Sequence, residues 1–525
     1  MLNYADILIG VSRTQMNEAA ASHDLIQALS TRLVHTVVVD SRQVLRDDVF
    51  VALPGERVDG HDYVGHALGR GAGAVLVQRE LSRESFPDAV WVDVRHGLDA
   101  LMAGDTAGLL DRPGVADMVS APLIIRVDDT LDALQRLSAY WRAKFAPQLR
   151  VVGITGSVGK TTTKELIAQV LSTRYRVLKS EGNQNNEIGV PLTLLKLRPE
   201  HEYAVIEMGM YTRGEIARFA SLAQPQIGVI TLVAPVHLER LGSIENIARA
   251  KAELVEALPV DGLAILNDDD ERVRAMAAMS KAPVMTYGLT PRADVWADEM
   301  ESFGLDGISF TAHQGEETFP MRVPLLGRHS VHTALRAALV GRVAGLTWEE
   351  ILEGFITPAP QLRLAVVEGP HGSLVLDDTY NASEESSIAA LNLLDEISGG
   401  PHIAVLGDML ELGDAEVQAH RNVGCRAGIV AQYVVCVGER ARWIAEEAVA
   451  CGAAVDHVFH VKTNAEALDV LRQIVCEKCI VLVKGSRGMQ MEEIVAGLAE
   501  MAPAAAGAGE EDQAADSESN TERTN

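Results

Sequence analysis

Short, near-continuous apolar runs alternate with stretches of helical periodicity along most of the chain. LRVVGIT (149–155), YAVIEMG (203–209), IGVITLV (227–233) and GLAILN (262–267) read as parallel strands covered on both faces, where the usual apolar–polar alternation is lost. Helical patterns lie between them, the βαβ signature of an α/β fold. The rhythm falls into three blocks. The first, residues 1–147, holds VVVDSR, VFVALPG and GAVLVQ, and its irregular stretch from about Arg79 to Pro122 is read as partly an insertion. The second, residues 148–357, contains a segment from Met285 to Val323 that is rich in Gly, Asp and Glu and alternates polar with apolar, which predicts an antiparallel excursion. Pro358, Ala359 and Pro360 then mark a hinge, because proline stops helices and stiffens linkers. The third block, residues 358–500, alternates again through SLVLDD, HIAVLGD, YVVCVG and CIVLVKG. Residues 501–525 are small, polar and acidic, a composition that predicts disorder.

Composition sharpens this picture. A length of 525 residues suggests roughly three or four domains. Hydrophobic residues at 47% and charged residues at 23% place the chain among globular proteins, and aromatics at only 4% leave the core to Ala, Val, Leu and Ile. The net charge of −27 argues against a nucleic-acid or anionic-membrane surface. The acidic tail accounts for little of it, since without residues 501–525 the charge is still −22. No run of about 18 apolar residues suggests a membrane span, and the N-terminus lacks the basic and apolar regions of a signal peptide. The five cysteines form an odd set that suits reduced thiols in a cytosol. Cys476 and Cys479 form a lone C-x-x-C with no second pair to complete a zinc site, so plain packing is the favoured reading.

The strongest chemical signal is TGSVGKTTTKE (155–165), between an apolar strand and a helical run. Its residues Gly156, Ser157, Val158, Gly159, Lys160, Thr161 and Thr162 form the short pattern G-x-x-G-K-T; the strict pattern fails only because Ile154 stands where a first Gly belongs. Glycines let backbone N–H groups turn toward phosphate oxygens, the helix N-terminus adds its dipole, Lys160 supplies a point charge and the Thr161 hydroxyl is placed for Mg²⁺. Glu207 ends the strand YAVIEMG at the carboxyl edge, where a carboxylate can hold Mg²⁺ directly or through water. His237 follows IGVITLV in the same topological position, although a single loop histidine is more often structural.

The run SIENIARAKAELVEAL (243–258) reads as a helix with Ser243 as N-cap and Glu245 in its first turn. Lys251 falls inside its apolar stripe, four residues from both Ile247 and Val255. Pattern alone leaves two readings equally open: a stem that snorkels to water, or a functional amine with anionic or metal partners or a lowered pKa.

Taken together, these motifs resemble the Mur ligase family over nearly the whole chain. The shared residues include the short phosphate loop, GNQNNEIGVPLTLL (182–195), IEMGM (206–210) and ARAKAEL (248–254). They continue with LDDTYNAS (376–383), LGDMLELG (406–413), LVKGSRGMQME (482–492) and, in the first block, DSR (40–42) and VFVALPGERVDGH (49–61). The resemblance implies three α/β domains: a smaller N-terminal domain for a UDP-substrate, a central P-loop ATPase domain with a mostly parallel sheet, and a Rossmann-like C-terminal domain. DDTYNAS points to the branch that adds a D-alanyl-D-alanine dipeptide, where the branch that adds the third amino acid would show a DYAHTP-like motif. Lys160 and Thr161 would then hold ATP phosphates and Mg²⁺, with Glu207 and His237 as metal ligands. Lys251 sits where the family often has a carbamylated lysine, which favours its functional reading. Asn185 and Asn186 would face the muramoyl peptide, and Asp40, Ser41, Arg42 and residues 55–61 the uridine nucleotide. Asn267 would lie near the adenine, Arg363 and Asp378 would contact ATP, with Tyr380 and Asn381 beside them, and Lys484 to Arg487 would line the second-substrate side. Ser383 and Glu384 replace Asn and Pro of the family's YNANP, Ser330 and Thr333 replace two asparagines of GRHNxxN, and Gln184 replaces a common Tyr.

The implied activity is ATP-dependent joining of D-alanyl-D-alanine to UDP-N-acetylmuramoyl-tripeptide through an acyl phosphate, carried out by a monomer in a bacterial cytoplasm. A neighbouring ligase branch and a nucleotide-hydrolysing switch or motor are the rival classes. Both substrates of the implied reaction are polyanions, so Lys160, Arg42, Arg363, Lys484 and Mg²⁺ would have to form a local positive island in a negative protein.

Overall fold

The computed structural model describes residues 1–12, 24–55, 58–95, 120–236, 238–356 and 364–502. His237, Arg363, the Pro358–Pro360 hinge and the acidic tail beyond residue 502 lie outside the described residues. Three sheets organise the chain. In the first, β1 (Val37–Val38), β2 (Val49–Val51), β3 (Ala74–Val77), β4 (Val90–Asp93) and β5 (Leu123–Arg126) are all parallel, in the order β1-β2-β3-β5-β4. Within the stretch 79–122, read as partly an insertion, Val90–Asp93 is an edge strand paired with β5, and 96–119 lie outside the described residues.

The second sheet contains β6 (Arg150–Thr155), β7 (Val177–Lys179), β8 (Tyr203–Glu207), β9 (Ile227–Ile230), β10 (Leu263–Asn267), β11 (Val284–Gly288), β12 (Val295–Ser302), β13 (Ile308–Gln314) and β14 (Glu317–Val323), in the order β14-β13-β12-β11-β10-β9-β6-β8-β7. The expected antiparallel excursion exists but begins later than the sequence suggested. Residues 285–288 belong to β11, parallel to β10, and only β12, β13 and β14 form an antiparallel meander. The parallel strands are continuous apolar runs because both faces are covered. Val151, Ala204 and Ile206 turn to one core, and Val152, Ile154 and Val205 to the other.

The first of these cores also serves the first sheet. Helix Thr130–Ala143, capped by Asp129, sends Leu134, Leu137 and Trp141 into it. Its polar groups grip the central block: Trp141 Nε1 donates to the Leu197 carbonyl (3.2 Å) and the buried Arg142 Nε to that of Ala223 (2.8 Å). A single core thus spans the boundary at residue 147, and residues 1–363 cluster as one compact unit.

The other compact unit, from Leu364 onward, holds β15 (Ala365–Glu368), β16 (Leu374–Asp378), β17 (His402–Gly407), β18 (Tyr433–Val437), β19 (Val458–Val461) and β20 (Ile480–Lys484). The order is β15-β16-β20-β17-β18-β19, parallel except for β15. Here the expectation of reduced thiols is corrected, because disulfides join Cys425 to Cys451 and Cys476 to Cys479 and leave Cys436 free and buried. Sequence spacing does not reveal the first pair. It forms because helices Glu416–Val430 and Arg442–Ala450 approach at Gly424, whose missing Cβ would stand 2.4 Å from the Ile444 carbonyl oxygen. Gly424→Ala is therefore expected to cost about 1–3 kcal/mol through overpacking, measured as a lower urea midpoint at unchanged m-value.

Candidate active site

The carboxyl edge of the central sheet, where β6 is flanked by β8 and β9, gathers most of the chemistry read from the sequence. The loop leaving β6 needs glycine at two points. Gly156 has φ of 149° and Gly159 of 82°, and a Cβ on Gly156 would lie 1.8 Å from Thr231 Oγ1. The close approach is functional in shape: Thr231 Oγ1 donates to the Val158 carbonyl (2.6 Å), and Ser157 N–H donates to the Leu232 carbonyl (2.8 Å). Ser157 Oγ donates to the Ala234 carbonyl (3.0 Å). The phosphate loop is thus laced to the segment that follows β9. Helix Lys160–Ser172 starts directly at the loop, with Thr161 and Thr162 in its first turn. Lys160 Nζ folds back to donate to the carbonyls of Gly156 (2.8 Å) and Ser157 (3.2 Å).

Glu207 stands at the end of β8 with no exposure. Its Oε1 accepts from Thr161 Oγ1 (3.2 Å) and from Asn185 Nδ2 (2.8 Å). Its Oε2 is buried without a hydrogen-bond partner, with the Lys164 ammonium 3.8 Å away. An orphaned carboxylate oxygen beside a phosphate-loop hydroxyl fits a divalent cation. Magnesium at a nucleotide site takes one or two carboxylates and fills its shell with water and phosphate, so it needs no larger cluster. Among the described residues no group of three His, Cys, Asp or Glu could hold an ion.

Lys251 lies on helix Ile244–Glu256, which Ser243 caps as expected by accepting from Asn246 N–H (3.2 Å). At 2% exposure it does not snorkel. Burial holds its amine well below the ordinary lysine range, and the charge of Lys160 adds to that effect. Both effects favour the uncharged form of the amine.

Asn267 is engaged at both ends of its amide: Nδ2 donates to the Thr231 carbonyl (3.1 Å) and Oδ1 accepts from Asp269 N–H (3.1 Å). Asn186 Oδ1 accepts from Gly189 N–H (2.8 Å) at the start of helix Gly189–Leu194, and the residue is otherwise exposed. The substitutions in GRHSVHT also find partners. Ser330 Oγ donates to the Leu326 carbonyl (2.6 Å), and Thr333 Oγ1 accepts from Arg336 (2.6 Å). Arg336 is a buried cation that the sequence reading missed. It donates to Tyr287 Oη (3.1 Å), and its Nη2 lies 3.2 Å from where a Gly159 Cβ would stand.

In the first sheet's region Arg42 and Asp40 form a bidentate pair (3.0 and 2.8 Å), and this hydrogen bonding holds the Asp40 carboxyl below its usual range. Ser41 Oγ lies 3.0 Å from His66 Nδ1. His61 is buried, with Nδ1 2.6 Å from Asp59 Oδ1 and Nε2 accepting from Gln78 N–H (3.0 Å), so it locks its segment to the end of β3. In the C-terminal unit the β16–β20 register sets Asp378 opposite Lys484, and Lys484 Nζ donates to Asp378 Oδ2 (2.7 Å) and to the Asn381 carbonyl (2.8 Å). Ser383, which stands where the family pattern has Asn, caps helix Glu384–Glu396 through a reciprocal pair with Ser386. The Arg487 guanidinium lies 5.5 Å from the Tyr380 ring centroid.

Residues 33–102 match the Mur ligase family catalytic domain, 154–341 the Mur ligase middle domain, and 362–487 the Mur ligase glutamate ligase domain. A UDP-N-acetylmuramoyl-tripeptide–D-alanyl-D-alanine ligase of Bacillus subtilis is 35% identical over 89% of this chain and 94% of its own length. The chain belongs to the Mur ligase family. The crystal structure of MurF from Acinetobacter baumannii superposes with a TM-score of 0.74 at 31% identity, covering 91% of this chain and 98% of that one. MurF ligase from Thermotoga maritima in complex with ADP, 24% identical, shares the fold at a TM-score of 0.72 over 93% and 99% of the two chains. The Mur ligase phosphate loop yields a direct test. Gly156→Ala should weaken binding of a fluorescent ADP analogue by about tenfold or more, because the left-handed backbone and the Thr231 contact each resist a Cβ; unchanged affinity would refute the lacing of loop to β9.

Proposed function

We infer that this chain is the ATP-dependent ligase that joins D-alanyl-D-alanine to UDP-N-acetylmuramoyl-tripeptide, forming the pentapeptide precursor of peptidoglycan. One observation carries the reading: Glu207 Oε1 is shared by Thr161 of the phosphate loop and Asn185 of the GNQNN loop, so nucleotide and peptide loops meet on one carboxylate. The B. subtilis relative's substrates supply the identities. A free carboxylate is a poor acyl donor. Its attack on the γ-phosphate of ATP forms an acyl phosphate and releases ADP; the amine of D-alanyl-D-alanine then attacks the acyl carbon, phosphate leaves with the bonding electrons and the amine loses a proton.

Lys160 is positioned to leave its two carbonyl partners and lie along the β- and γ-phosphates, where charge spreads in the transition state. Thr161 and Glu207, with His237 from the sequence pattern, are the residues that would hold Mg²⁺, which when bound neutralises phosphate charge. Asn185 and Asn186 orient the muramoyl peptide, Asp40, Ser41 and Arg42 the uridine nucleotide, and Asn267 the adenine side. Asp378 and Arg363 serve ATP, and Lys484 the dipeptide. Lys251, whose uncharged form burial favours, can add CO₂ with loss of a proton and become a carbamate, an anion suited to the metal side. No helix among the described residues is long and apolar enough to cross a membrane, and both ATP and the UDP-linked substrate place the reaction in the cytoplasm.

The deciding assay is ADP release with each substrate omitted in turn. Release should require both the UDP-peptide and D-alanyl-D-alanine; release without the dipeptide would favour a hydrolysing switch, and a preference for another acceptor would favour a neighbouring branch. Lys160→Ala should abolish turnover. Lys251→Ala should lower kcat by about a hundredfold with little change in the KM for ATP, and bicarbonate should stimulate wild type but not the variant; a normal kcat would remove the carbamate from the mechanism.

A further inference from the structure

One buried cation of the phosphate-loop helix has no part in the reaction steps above. Lys164 lies one turn beyond Lys160 and has no solvent exposure. An ammonium removed from water must satisfy its three donors and its charge. Lys164 Nζ donates to the Gly182 carbonyl (3.0 Å) and lies 3.0 Å from Glu165 Oε1 and 3.8 Å from Glu207 Oε2. Glu165 also pairs with Lys179.

These partners are not arbitrary. Gly182 opens the GNQNN loop, and the same loop reaches Glu207 from the other side. Asn185 Nδ2 donates to Oε1 (2.8 Å), and the Asn185 carbonyl accepts from Gly209 N–H (2.8 Å), just past the carboxylate. Glu207 is therefore held between two attachments of one loop, one direct and one through Lys164. Without the ammonium, the carboxylates of Glu165 and Glu207 would face a buried space with less positive charge to share. Losing that tie also frees the Gly182 end of the loop and lets the Glu207 side chain turn toward other donors, which weakens it as a ligand.

We propose that Lys164 is a positioning residue that braces the metal-side carboxylate of Glu207 against the substrate loop opening at Gly182, linking divalent-cation binding to UDP-peptide binding. This rests on the reading of the site as a Mg²⁺-ATP ligase. The test uses the full-length chain, with folding checked by thermal melting, and titrates Mg²⁺ against binding of a fluorescent ADP analogue. Lys164→Gln is expected to need about tenfold more Mg²⁺ for half-saturation, the usual scale for a residue that orients a metal ligand. Its KM for the UDP-peptide should rise while that for D-alanyl-D-alanine does not, and Lys164→Arg should restore part of the Mg²⁺ affinity. Should Lys164→Gln not fold, Lys164→Met serves instead: it keeps an apolar stem of similar length, removes the ammonium that reaches Gly182 and Glu207, and should raise the Mg²⁺ requirement in the same way. An unchanged or lowered Mg²⁺ requirement in the folded variant overturns the proposal, since a lysine acting only as a repelling charge would tighten Mg²⁺ when removed. The binding titration needs no acceptor, so failure of the ligase reading, seen as ADP release independent of D-alanyl-D-alanine, is a separate outcome.

Discussion

An ionised carboxylate taken fully out of water costs several kcal/mol unless its surroundings compensate. Glu207 imposes that constraint at the carboxyl edge of the central sheet, and the elements around it meet the demand from different directions. The first turn of the phosphate-loop helix contributes Thr161, the GNQNN loop contributes Asn185, and the buried Lys164 offsets the charge. Thr161 and Asn185 satisfy one oxygen, and the other, facing Lys164, has no hydrogen-bond partner and is left open. Because its donors come from two different segments, one side chain fixes the relative placement of the phosphate loop and the GNQNN loop.

The cations of this unit follow the same logic. Lys160, Lys164, Lys251 and Arg336 are drawn inward, while the molecule carries a net charge of −27. Beyond about 8–10 Å, salt screens exposed charge, so an acidic exterior scarcely opposes an anion close to these cations. Attraction acts over the last few ångströms, through groups whose desolvation strengthens each contact.

Much of this was legible in the sequence, and the gaps have physical causes. The central strands announced themselves because two cores cover them, as Val151 and Val152 show by facing opposite ways. The phosphate loop was legible because its glycines answer a backbone requirement, and Ser243 because a cap is a local signal. By contrast β4, β7, β15 and β19 are edge strands; β7, β15 and β19 are only partly buried, so no clean apolar run marks them. Lys251 gave an ambiguous pattern, since periodicity reports which face a residue occupies but not whether its stem reaches water. Lys164 escaped because it lies in a polar-looking stretch, and Arg336, on an apolar helix, because nothing local shows whether its guanidinium stays buried or reaches water. The Asp378–Lys484 pair depends on strand register, and the Cys425–Cys451 bond on a helix crossing at Gly424. Neither is encoded in local spacing.

Helix Thr130–Ala143 has a further consequence. It belongs by sequence to the first sheet, yet Trp141 and Arg142 cap carbonyls of the central block, and its apolar side completes a core that both sheets share. The first two sheets are thus modular in pattern but not in inheritance. A recombination event that exchanged the N-terminal sheet between related ligases would leave Ala223 and Leu197 without their donors and the central sheet with one bare face. Viable chimeras should carry their junctions beyond the central block, so that the first sheet travels together with the phosphate loop and its sheet.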